Sequence, residues 1–379
     1  MVSEGQRPNS KWAPYLAVLP RQLNSLVFWS DSELAELQAS AVVTKIGKVG
    51  AEEMFAEHIT PLGEYDVELY HRVASVIMAY AFDIPEDGET KDAEQSEGNA
   101  DDLISDDGED EKTILSMIPL ADMLNADADR NNARLCSDNE ELEMRTIKPI
   151  AKGEEILNDY GQLPRSDLLR RYGYVTANYA AYDVAEISTK SIVSHLTSGT
   201  LSLANRQSLE PFSPQEMEKR IELAEREGVY EDSYDLGHPG PDGPAIPDEL
   251  LALLYIILLD DENLEGLLSS QSALPSRSKM STELIGQVLV LLLRLREKEY
   301  ATTLEEDEKL SQETQLSHRT IMAVQVRLGE KQVLREAMQE ASTFEGSNKR
   351  MRLIPQASEQ RGKRKADDTS KSKKKGRFT

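Results

Sequence analysis

Apolar residues recur at helical spacing in several segments of the chain. Leu69, Val73, Val76, Ile77 and Tyr80 follow one another at three- and four-residue spacings, which predicts an amphipathic helix with one buried face. Ser213-Pro-Gln-Glu216 has the form of a capping box with proline at the first helical position. Helices are predicted for residues 213–228, 247–260, 281–300 and 317–341, and a short one for residues 166–172.

Shorter apolar segments separated by turn residues occur earlier in the chain. Residues 133–136, 142–147 and 154–160 have this pattern and are predicted to be strands, and an apolar segment at residues 114–120 precedes them. The pattern therefore predicts an α+β protein. We refer to residues 1–190 as the N-terminal half and to residues 191–346 as the helical half.

The formal charge of −25 is unevenly distributed along the chain. Residues 83–112 contain 14 acidic and two basic residues and few apolar ones, which predicts a disordered insertion within one domain. Residues 347–379 contain 12 basic and three acidic residues, and this composition predicts a disordered tail. The negative excess argues against direct nucleic-acid binding and favours a basic protein partner.

Cysteine, histidine and apolar content set further limits. A single cysteine, Cys136, excludes an internal disulfide and a thiolate metal cluster. The five histidines are scattered without ligand spacing, so no metal site is expected. The longest apolar stretch, at residues 250–259, is too short to span a bilayer, and no membrane association is expected.

Three motifs carry the candidate chemistry: Pro119-Leu-Ala-Asp-Met-Leu-Asn-Ala-Asp127, Ile150-Ala-Lys-Gly-Glu-Glu-Ile-Leu-Asn-Asp-Tyr-Gly161 and Leu169-Arg-Arg-Tyr-Gly-Tyr-Val175. Their order and spacing resemble the SET domain of protein-lysine methyltransferases, in the branch similar to Rubisco large-subunit methyltransferase. Within that branch the motif sequences are most similar to those of fungal ribosomal-protein lysine methyltransferases. Residues 12–15, 28–29 and 68–80 resemble the helical insert of the same family.

The resemblance implies a SET-type β fold with a helical insert over residues 1–190, an all-α substrate-binding domain over residues 191–346, and a tail over residues 347–379. It implies that S-adenosylmethionine is the cofactor and that a lysine of a basic protein, in particular a large-subunit ribosomal protein, is the methyl acceptor. By motif match the catalytic residue is Tyr160, the cofactor-binding residues are Tyr80, Asn125, Ala126 and Tyr172, and the substrate-channel residues are Tyr172 and Tyr174.

The reaction explains why tyrosines suit such a site. Methyl transfer from a sulfonium to an amine needs in-line alignment and a neutral amine. An aromatic channel desolvates the lysine ammonium and so lowers its pKa, while tyrosine faces attract the cation. Taken singly, a tyrosine at a strand end is usually a half-buried core residue, and an asparagine in a loop is usually a turn former. For Asp122 and Asp127 the simpler interpretation is a loop cap. The three motifs together favour the functional interpretation for Tyr160, Tyr172 and Asn125, whereas for Tyr80 and Tyr174 the functional and the core interpretations both stay open.

Two departures from the family pattern stand out. Ala126 occupies a position where many relatives have histidine, which matters little if the backbone of this residue serves the adenine. The family's Gly-x-Gly turn does not occur before Trp12, so the SET domain is expected to be N-terminally incomplete. The alternative functions are therefore a catalytically impaired SET-derived binding module and, from the acidic insertion alone, a chaperone for ribosomal or histone proteins.

The basic tail has a separate interpretation. Lys363-Arg-Lys365 and Lys373-Lys-Lys375 form two clusters with a short polar spacer, a pattern typical of a bipartite nuclear import signal. The predicted partner of the region from Lys363 to Lys375 is an import receptor, and the predicted location is the nucleus. The alternative is a solvated tail that contacts RNA or the acidic insertion.

Overall fold

The structure is a computed structural model that describes residues 7, 9–63, 65–85, 113–138, 141–199, 201–203, 208–241, 243–269 and 273–352. The α-helices are α1 (Ala13–Val18), α2 (Asp31–Leu34), α3 (Lys48–Met54), α4 (Val67–Tyr80), α5 (Arg165–Asp167), α6 (Thr189–Ser198), α7 (Pro214–Arg226), α8 (Asp248–Leu258), α9 (Asp261–Ser269), α10 (Arg277–Met280), α11 (Glu283–Glu297), α12 (Leu304–Leu310) and α13 (His318–Ala341). The strands are β1 (Ala81–Pro85), β2 (Thr113–Met117), β3 (Ala133–Asp138), β4 (Glu141–Thr146), β5 (Ala185–Ser188), β6 (Leu201–Ser202), β7 (Ser208–Leu209) and β8 (Ser233–Leu236).

The strands form antiparallel two-stranded ladders, in the pairs β1–β2, β3–β4, β5–β8 and β6–β7. Together with the helices they confirm the α+β prediction. The helical half is not purely α, however, because β6, β7 and β8 lie within it. Residues of β5 alternate between buried and half-buried, as expected for a strand with one face on the core, but four residues are too few for this alternation to stand out in the sequence.

The predicted acidic insertion begins too early in the chain. Residues 83–85 belong to β1, and Pro85 pairs with Thr113 at the far end of β2. Phe82 and Ile84 alternate with Asp83 and are half-buried where Asp83 is exposed, which is a strand pattern that the local charge obscures. Residues 86–112, which connect the two paired strands, lie outside the described residues, as does most of the predicted tail.

The strand predicted for residues 154–160 is wrong. This segment makes only an isolated parallel bridge, between Ala126 and Asn158. The side chain of Asn132 takes up part of its backbone hydrogen bonding, because Nδ2 donates to the Glu155 carbonyl at 2.8 Å and Oδ1 accepts from the Leu157 amide at 2.8 Å. A side-chain clamp therefore replaces a ladder here.

Helix α4 confirms the helical prediction for this segment, but its buried face differs from the predicted one. Of the predicted face only Val76 is buried, and it is joined by His71, Ser75 and Ala79. The Ser75 hydroxyl lies 3.5 Å from that of Ser25, so a polar contact is part of this face. Polar and small residues therefore make up most of the inward face, which the apolar spacing does not indicate.

Among the residues that the structure describes, the buried apolar side chains form two clusters. The larger lies in the helical half, where every residue of α8 from Leu250 to Leu258 is buried. The smaller joins the N-terminal half to helix α13. It consists of Leu26, Trp29, Leu37, Val42, Leu169, Met322, Ala323 and Val326.

A buried group of charges accompanies the smaller cluster. Asp307 is fully buried and accepts hydrogen bonds from Nε of Arg327 at 2.9 Å and from Oγ1 of Thr302 at 2.9 Å. The ammonium of Lys331, also fully buried, donates to the second carboxylate oxygen. Because buried charges are costly unless paired, each member of this group depends on the others.

We expect Asp307→Asn to lower the free energy of unfolding by about 3–5 kcal/mol, since it removes the buried counter-charge of Lys331 and leaves Arg327 with only the half-exposed carboxylate of Glu36, 3.6 Å away. The exposed pair between Lys219 and Glu265, 3.3 Å apart, provides the control, and Glu265→Gln should cost less than about 1 kcal/mol. Urea unfolding of both variants checks this. An equal loss of unfolding free energy in the two variants would show that the buried charges contribute no more to stability than an exposed ion pair.

Candidate active site

Two loops from different motifs lie side by side at the centre of the site. The Asn158 amide donates to the Asn125 carbonyl at 2.8 Å, and the Asp127 amide donates to the Asn158 carbonyl at 3.0 Å. In a parallel bridge of this kind the flanking residues make the hydrogen bonds, so the N–H and C=O of Ala126 itself point away from Asn158. The bridge therefore leaves the backbone of Ala126 directed toward a possible ligand.

Three tyrosines lie together beside this bridge, and we call them the tyrosine group: Tyr160, Tyr172 and Tyr174. The rings of Tyr160 and Tyr172 stack with centroids 4.8 Å apart and an interplanar angle of 12°. The ring of Tyr174 lies 6.2 Å from that of Tyr172 and is tilted by 54°. The Tyr160 hydroxyl donates to the Leu124 carbonyl at 2.9 Å, which links the second motif to the first.

The hydroxyls of the tyrosine group remain protonated near neutral pH. Burial raises the pKa of Tyr160 and of Tyr172 above the ordinary tyrosine value, and it raises the pKa of Tyr174 to about 12. The tyrosines are therefore neutral hydrogen-bonding groups, and none is poised to act as a phenolate base.

A buried carboxylate stands next to the tyrosine group. Asp122 is only 3% exposed and accepts a hydrogen bond from the Tyr15 hydroxyl through Oδ2. Its other oxygen, Oδ1, is buried and has no hydrogen-bond partner among the described residues. Burial raises the pKa of Asp122, although the hydrogen bond from Tyr15 and those from the backbone of Leu120 and of Asp122 itself partly oppose this. Burial and the charge of Asp122 likewise raise the pKa of Tyr80, which places Tyr80 in the same neighbourhood.

Tyr15 is a site residue that the motifs do not indicate. Its only signal in the sequence is the Trp12-Ala-Pro-Tyr15 segment, and the contact with Asp122 spans 107 positions. Asp122 is more than the loop cap that its sequence context favours, because it is the charge that faces the tyrosines.

Asp127 does act as the predicted loop cap. Its Oδ1 accepts from the amides of Asp129 at 3.1 Å and Arg130 at 2.9 Å, and its Oδ2 accepts from Nδ2 of Asn178 at 2.8 Å. Burial opposes ionisation, but the hydrogen bonds from Arg130, Asn178 and Asp129 outweigh it and lower the pKa of Asp127. This carboxylate fixes the loop and is not available to a ligand.

The side chain of Asn125, a predicted cofactor-binding residue, is bound by a residue that is not part of the bridge. Its Nδ2 donates to Oε1 of Glu155 at 2.7 Å. Because the amide nitrogen is engaged, Oδ1 is the atom that remains to accept a hydrogen bond from a ligand.

The structure thus brings the first, second and third motifs into one site. Within the described residues, no cluster of three or more histidine, cysteine, aspartate or glutamate side chains is suited to hold a metal ion. In the same part of the chain no helix is long and apolar enough to cross a membrane.

Comparison with known families agrees with both halves of the chain. Residues 9–161 match the family model of the SET domain, and residues 212–334 match the model described as Rubisco LSMT substrate-binding. The chain is a SET-domain protein with a Rubisco LSMT substrate-binding domain.

Curated relatives of this SET-domain protein are lysine methyltransferases by name. Ribosomal lysine N-methyltransferase 4 of Saccharomyces cerevisiae is 38% identical over 200 residues, which cover 49% of this chain and 40% of the yeast protein. N-lysine methyltransferase SETD6 of Homo sapiens is 26% identical over 374 residues, which cover 89% of this chain and 72% of the human protein. The chain therefore spans well under two thirds of the yeast relative.

Solved structures show the same fold as this SET-domain protein. Rubisco LSMT bound to sinefungin and monomethyllysine has a TM-score of 0.62 at 19% identity, and the match covers 92% of this chain and 76% of that one. Rubisco LSMT bound to AdoMet has a TM-score of 0.59 at 19% identity, with 90% and 72% covered. These matches confirm the predicted SET/LSMT-like fold with a helical substrate-binding region.

In this SET-domain protein Gly173, between Tyr172 and Tyr174, packs against the backbone of residues 24–25. Gly173 has φ of 75°, and a Cβ atom there would lie 2.7 Å from the Ser25 nitrogen and 2.9 Å from the Asn24 carbonyl carbon. Only glycine combines this backbone conformation with so close an approach. Residues 24–25 therefore form the wall against which the third motif rests.

Gly173→Ala should lower the free energy of unfolding by about 2 kcal/mol or more, because it adds both a left-handed strain and a backbone clash. Gly228→Ala is the control, since Gly228 has φ of 68° but a Cβ atom there would meet nothing within 4 Å; it should cost only about 1 kcal/mol. Thermal unfolding of both variants distinguishes strain alone from strain plus contact. If Gly173→Ala destabilised the chain no more than Gly228→Ala does, the close packing of Gly173 would be contradicted.

Proposed function

We propose that this chain is a protein-lysine N-methyltransferase that uses S-adenosylmethionine. The observation that carries the proposal is the neutral tyrosine group, in which Tyr160 stacks on Tyr172, beside a buried carboxylate of which one oxygen has no hydrogen-bond partner among the described residues. The names of the relatives, lysine methyltransferases from yeast and human, support it. S-adenosylmethionine, when bound, supplies a methyl group activated by the adjacent sulfonium.

The tyrosine group would act on the incoming lysine by desolvation and orientation. Rings of Tyr160, Tyr172 and Tyr174 favour a cation at their faces, and removal of water lowers the pKa of an ammonium. The proton of the Tyr160 hydroxyl is already donated to Leu124. The oxygen of this hydroxyl is therefore left to accept a hydrogen bond from an N–H of the amine. That hydrogen bond would orient the amine so that the nitrogen lone pair points toward the methyl group.

Asp122 would serve the capture of the lysine. Its Oδ1 is a buried acceptor without a hydrogen-bond partner among the described residues, although the backbone of Leu120 and of Asp122 itself lies close enough to favour the ionised carboxylate. An ammonium that enters the aromatic channel would find this acceptor, and Tyr15 holds the other oxygen in place. Since the amine must be neutral to react, this contact belongs to capture rather than to the transfer itself.

The residues of the loop bridge fit the cofactor. The outward backbone groups of Ala126 offer one donor and one acceptor, the pattern that an adenine edge pairs with, and Oδ1 of Asn125 is placed to accept from an amine. Tyr80 and Tyr172 would border the cofactor from the side of the tyrosines. The alanine at position 126 does not weaken this fit, because the backbone makes the contact.

For the substrate we propose a basic protein, in particular a large-subunit ribosomal protein. Relatives in two yeasts are named ribosomal lysine N-methyltransferase 4, and the net charge of −25 would attract a basic partner. The alternative is a catalytically impaired module that docks such a partner through the helical half. It draws on the match of residues 212–334 to the model described as Rubisco LSMT substrate-binding.

We also propose a nuclear location, on the basis of the two basic clusters between Lys363 and Lys375. Residues 347–379 fused to a tandem fluorescent protein should accumulate in the nucleus of a eukaryotic cell. Replacement of residues 363–365 by alanine should abolish the accumulation, and replacement of Lys349 and Arg350 should not. A uniform distribution of the unaltered fusion would rule out an import signal.

Tyr160→Phe should lower kcat for methyl transfer to ribosomal proteins about tenfold or more, because it removes one hydrogen bond aimed at the reacting amine. Tyr234→Phe is the matched control, since the Tyr234 hydroxyl also donates to a backbone carbonyl, that of Val229, at 2.7 Å. Radiolabelled methyl transfer gives the rates, and calorimetric titration with S-adenosylmethionine separates the two functions. An unaltered chain that binds no cofactor would favour the binding module, and equal rates for Tyr160→Phe would remove Tyr160 from its role.

A further inference from the structure

The wall behind the tyrosine group is itself supported from the helical half. Residues 24–29 form this wall, and Gly173, between Tyr172 and Tyr174, packs directly on Asn24 and Ser25. Within the wall, Nε1 of the buried Trp29 donates to the Asn24 carbonyl at 2.7 Å. The position of the wall therefore helps to set the position of the two tyrosines.

Arg319, near the start of helix α13, binds this wall. Its Nη1 donates to the Phe28 carbonyl at 3.1 Å and to Oε2 of Glu33 at 2.9 Å. Its Nη2 lies 3.5 Å from Oδ1 of Asn24, and the guanidinium is 5.7 Å from the centre of the Trp29 ring. One side chain thus contacts both ends of the wall.

The smaller hydrophobic cluster makes the same connection through apolar contact. Leu169, three positions before Tyr172, is fully buried together with Trp29 and with Met322, Ala323 and Val326 of helix α13. The third motif and the wall therefore share a core with the helix that carries Arg319.

The location of Arg319 on its helix indicates a tertiary role. Ser317 is the N-cap of α13, so Arg319 lies in the first turn, where a cation is disfavoured by the helix dipole. A planar guanidinium with five donors can bind a carbonyl, a carboxylate and an aromatic face at once, as no other side chain does. The contacts with the wall offset the unfavourable position.

We propose that Arg319 is a positioning residue for methyl transfer: by holding residues 24–29 against Gly173 it sets the placement of Tyr172 and Tyr174 in the lysine channel. This inference rests on the proposed function. It also means that the alignment of the reacting amine depends on how the helical half is seated on the N-terminal half, since Arg319 belongs to the former and the tyrosines to the latter.

The test compares Arg319→Gln with Arg335→Gln. Arg335 lies on the same helix, but its Nε donates to Glu297 at 2.6 Å, within the helical half. We expect Arg319→Gln to lower kcat about tenfold, because the wall loses its charge-assisted contacts with the guanidinium. KM for the protein substrate should change less than about twofold, because the docking surface is intact. Arg335→Gln should leave both constants unchanged. Arg319→Lys, which keeps the charge but not the planar fork, should fall between Arg319→Gln and the unaltered chain.

A spectroscopic measurement keeps the inference testable if Arg319→Gln is also less stable. The chain has two tryptophans, Trp12 and Trp29, so in a Trp12→Phe background the emission reports on Trp29 alone. Arg319→Gln should shift this emission below the unfolding transition, and Arg335→Gln should not. An active unaltered chain with an unaffected kcat in Arg319→Gln would overturn the positioning role alone. An unaltered chain without activity or cofactor binding would instead overturn the proposed function, and the positioning role with it.

Discussion

The arrangement of the two halves depends on the packing of helix α13 against the N-terminal half. Its side chains reach that half at several levels: Arg327 donates to the Glu36 carbonyl, Glu330 accepts from the Ser40 hydroxyl at 2.6 Å, and Gly329 leaves room for the ion pair between Arg165 and Asp183. Burial raises the pKa of Glu330 to about 7. Such desolvation is offset only when both halves supply their partners, so the contact fixes one relative placement rather than a range of them.

The site inherits its geometry from that placement. The tyrosine group comes from the second and third motifs, and the third motif is held between the wall at residues 24–29 and the core that Leu169 shares with α13. The loop bridge at Ala126 has two backbone hydrogen bonds, and the flanking chain is held by the side chains of Asn132 and Asp127 and by the Asn132 and Ala133 amides, which donate to the Leu157 carbonyl. Rigid support outside a site with few direct contacts is what alignment of two reactants requires.

Features set by local sequence are predictable, and features set by distant partners are not. Helices α7, α8, α11 and α13 follow from periodicity and caps, and the meeting of Tyr160 with Tyr172 follows from the resemblance. The pairing of β5 with β8 joins Ala185 to Leu236, and the bond from Tyr15 to Asp122 joins positions 107 apart. Neither has a periodic signal. The buried face of α4 escapes prediction for the same reason, since a partner such as Ser25 decides which side of a helix is covered.

The charges around the site suit a ligand that enters as a cation and reacts in its neutral form. Asp122 lies in an environment that raises its pKa, and the tyrosines around it are neutral. In the proposed function, a lysine ammonium entering the site would lower the pKa of this carboxylate by opposite charge, and the carboxylate in turn would favour the ammonium. The aromatic rings then remove water from the amine, which disfavours the charge. In the proposed reaction, capture of the ammonium therefore falls to Oδ1 of Asp122, whereas burial among the rings of the tyrosine group favours the neutral amine. The proton would pass to solvent water, because the hydroxyls of the tyrosine group are themselves protonated.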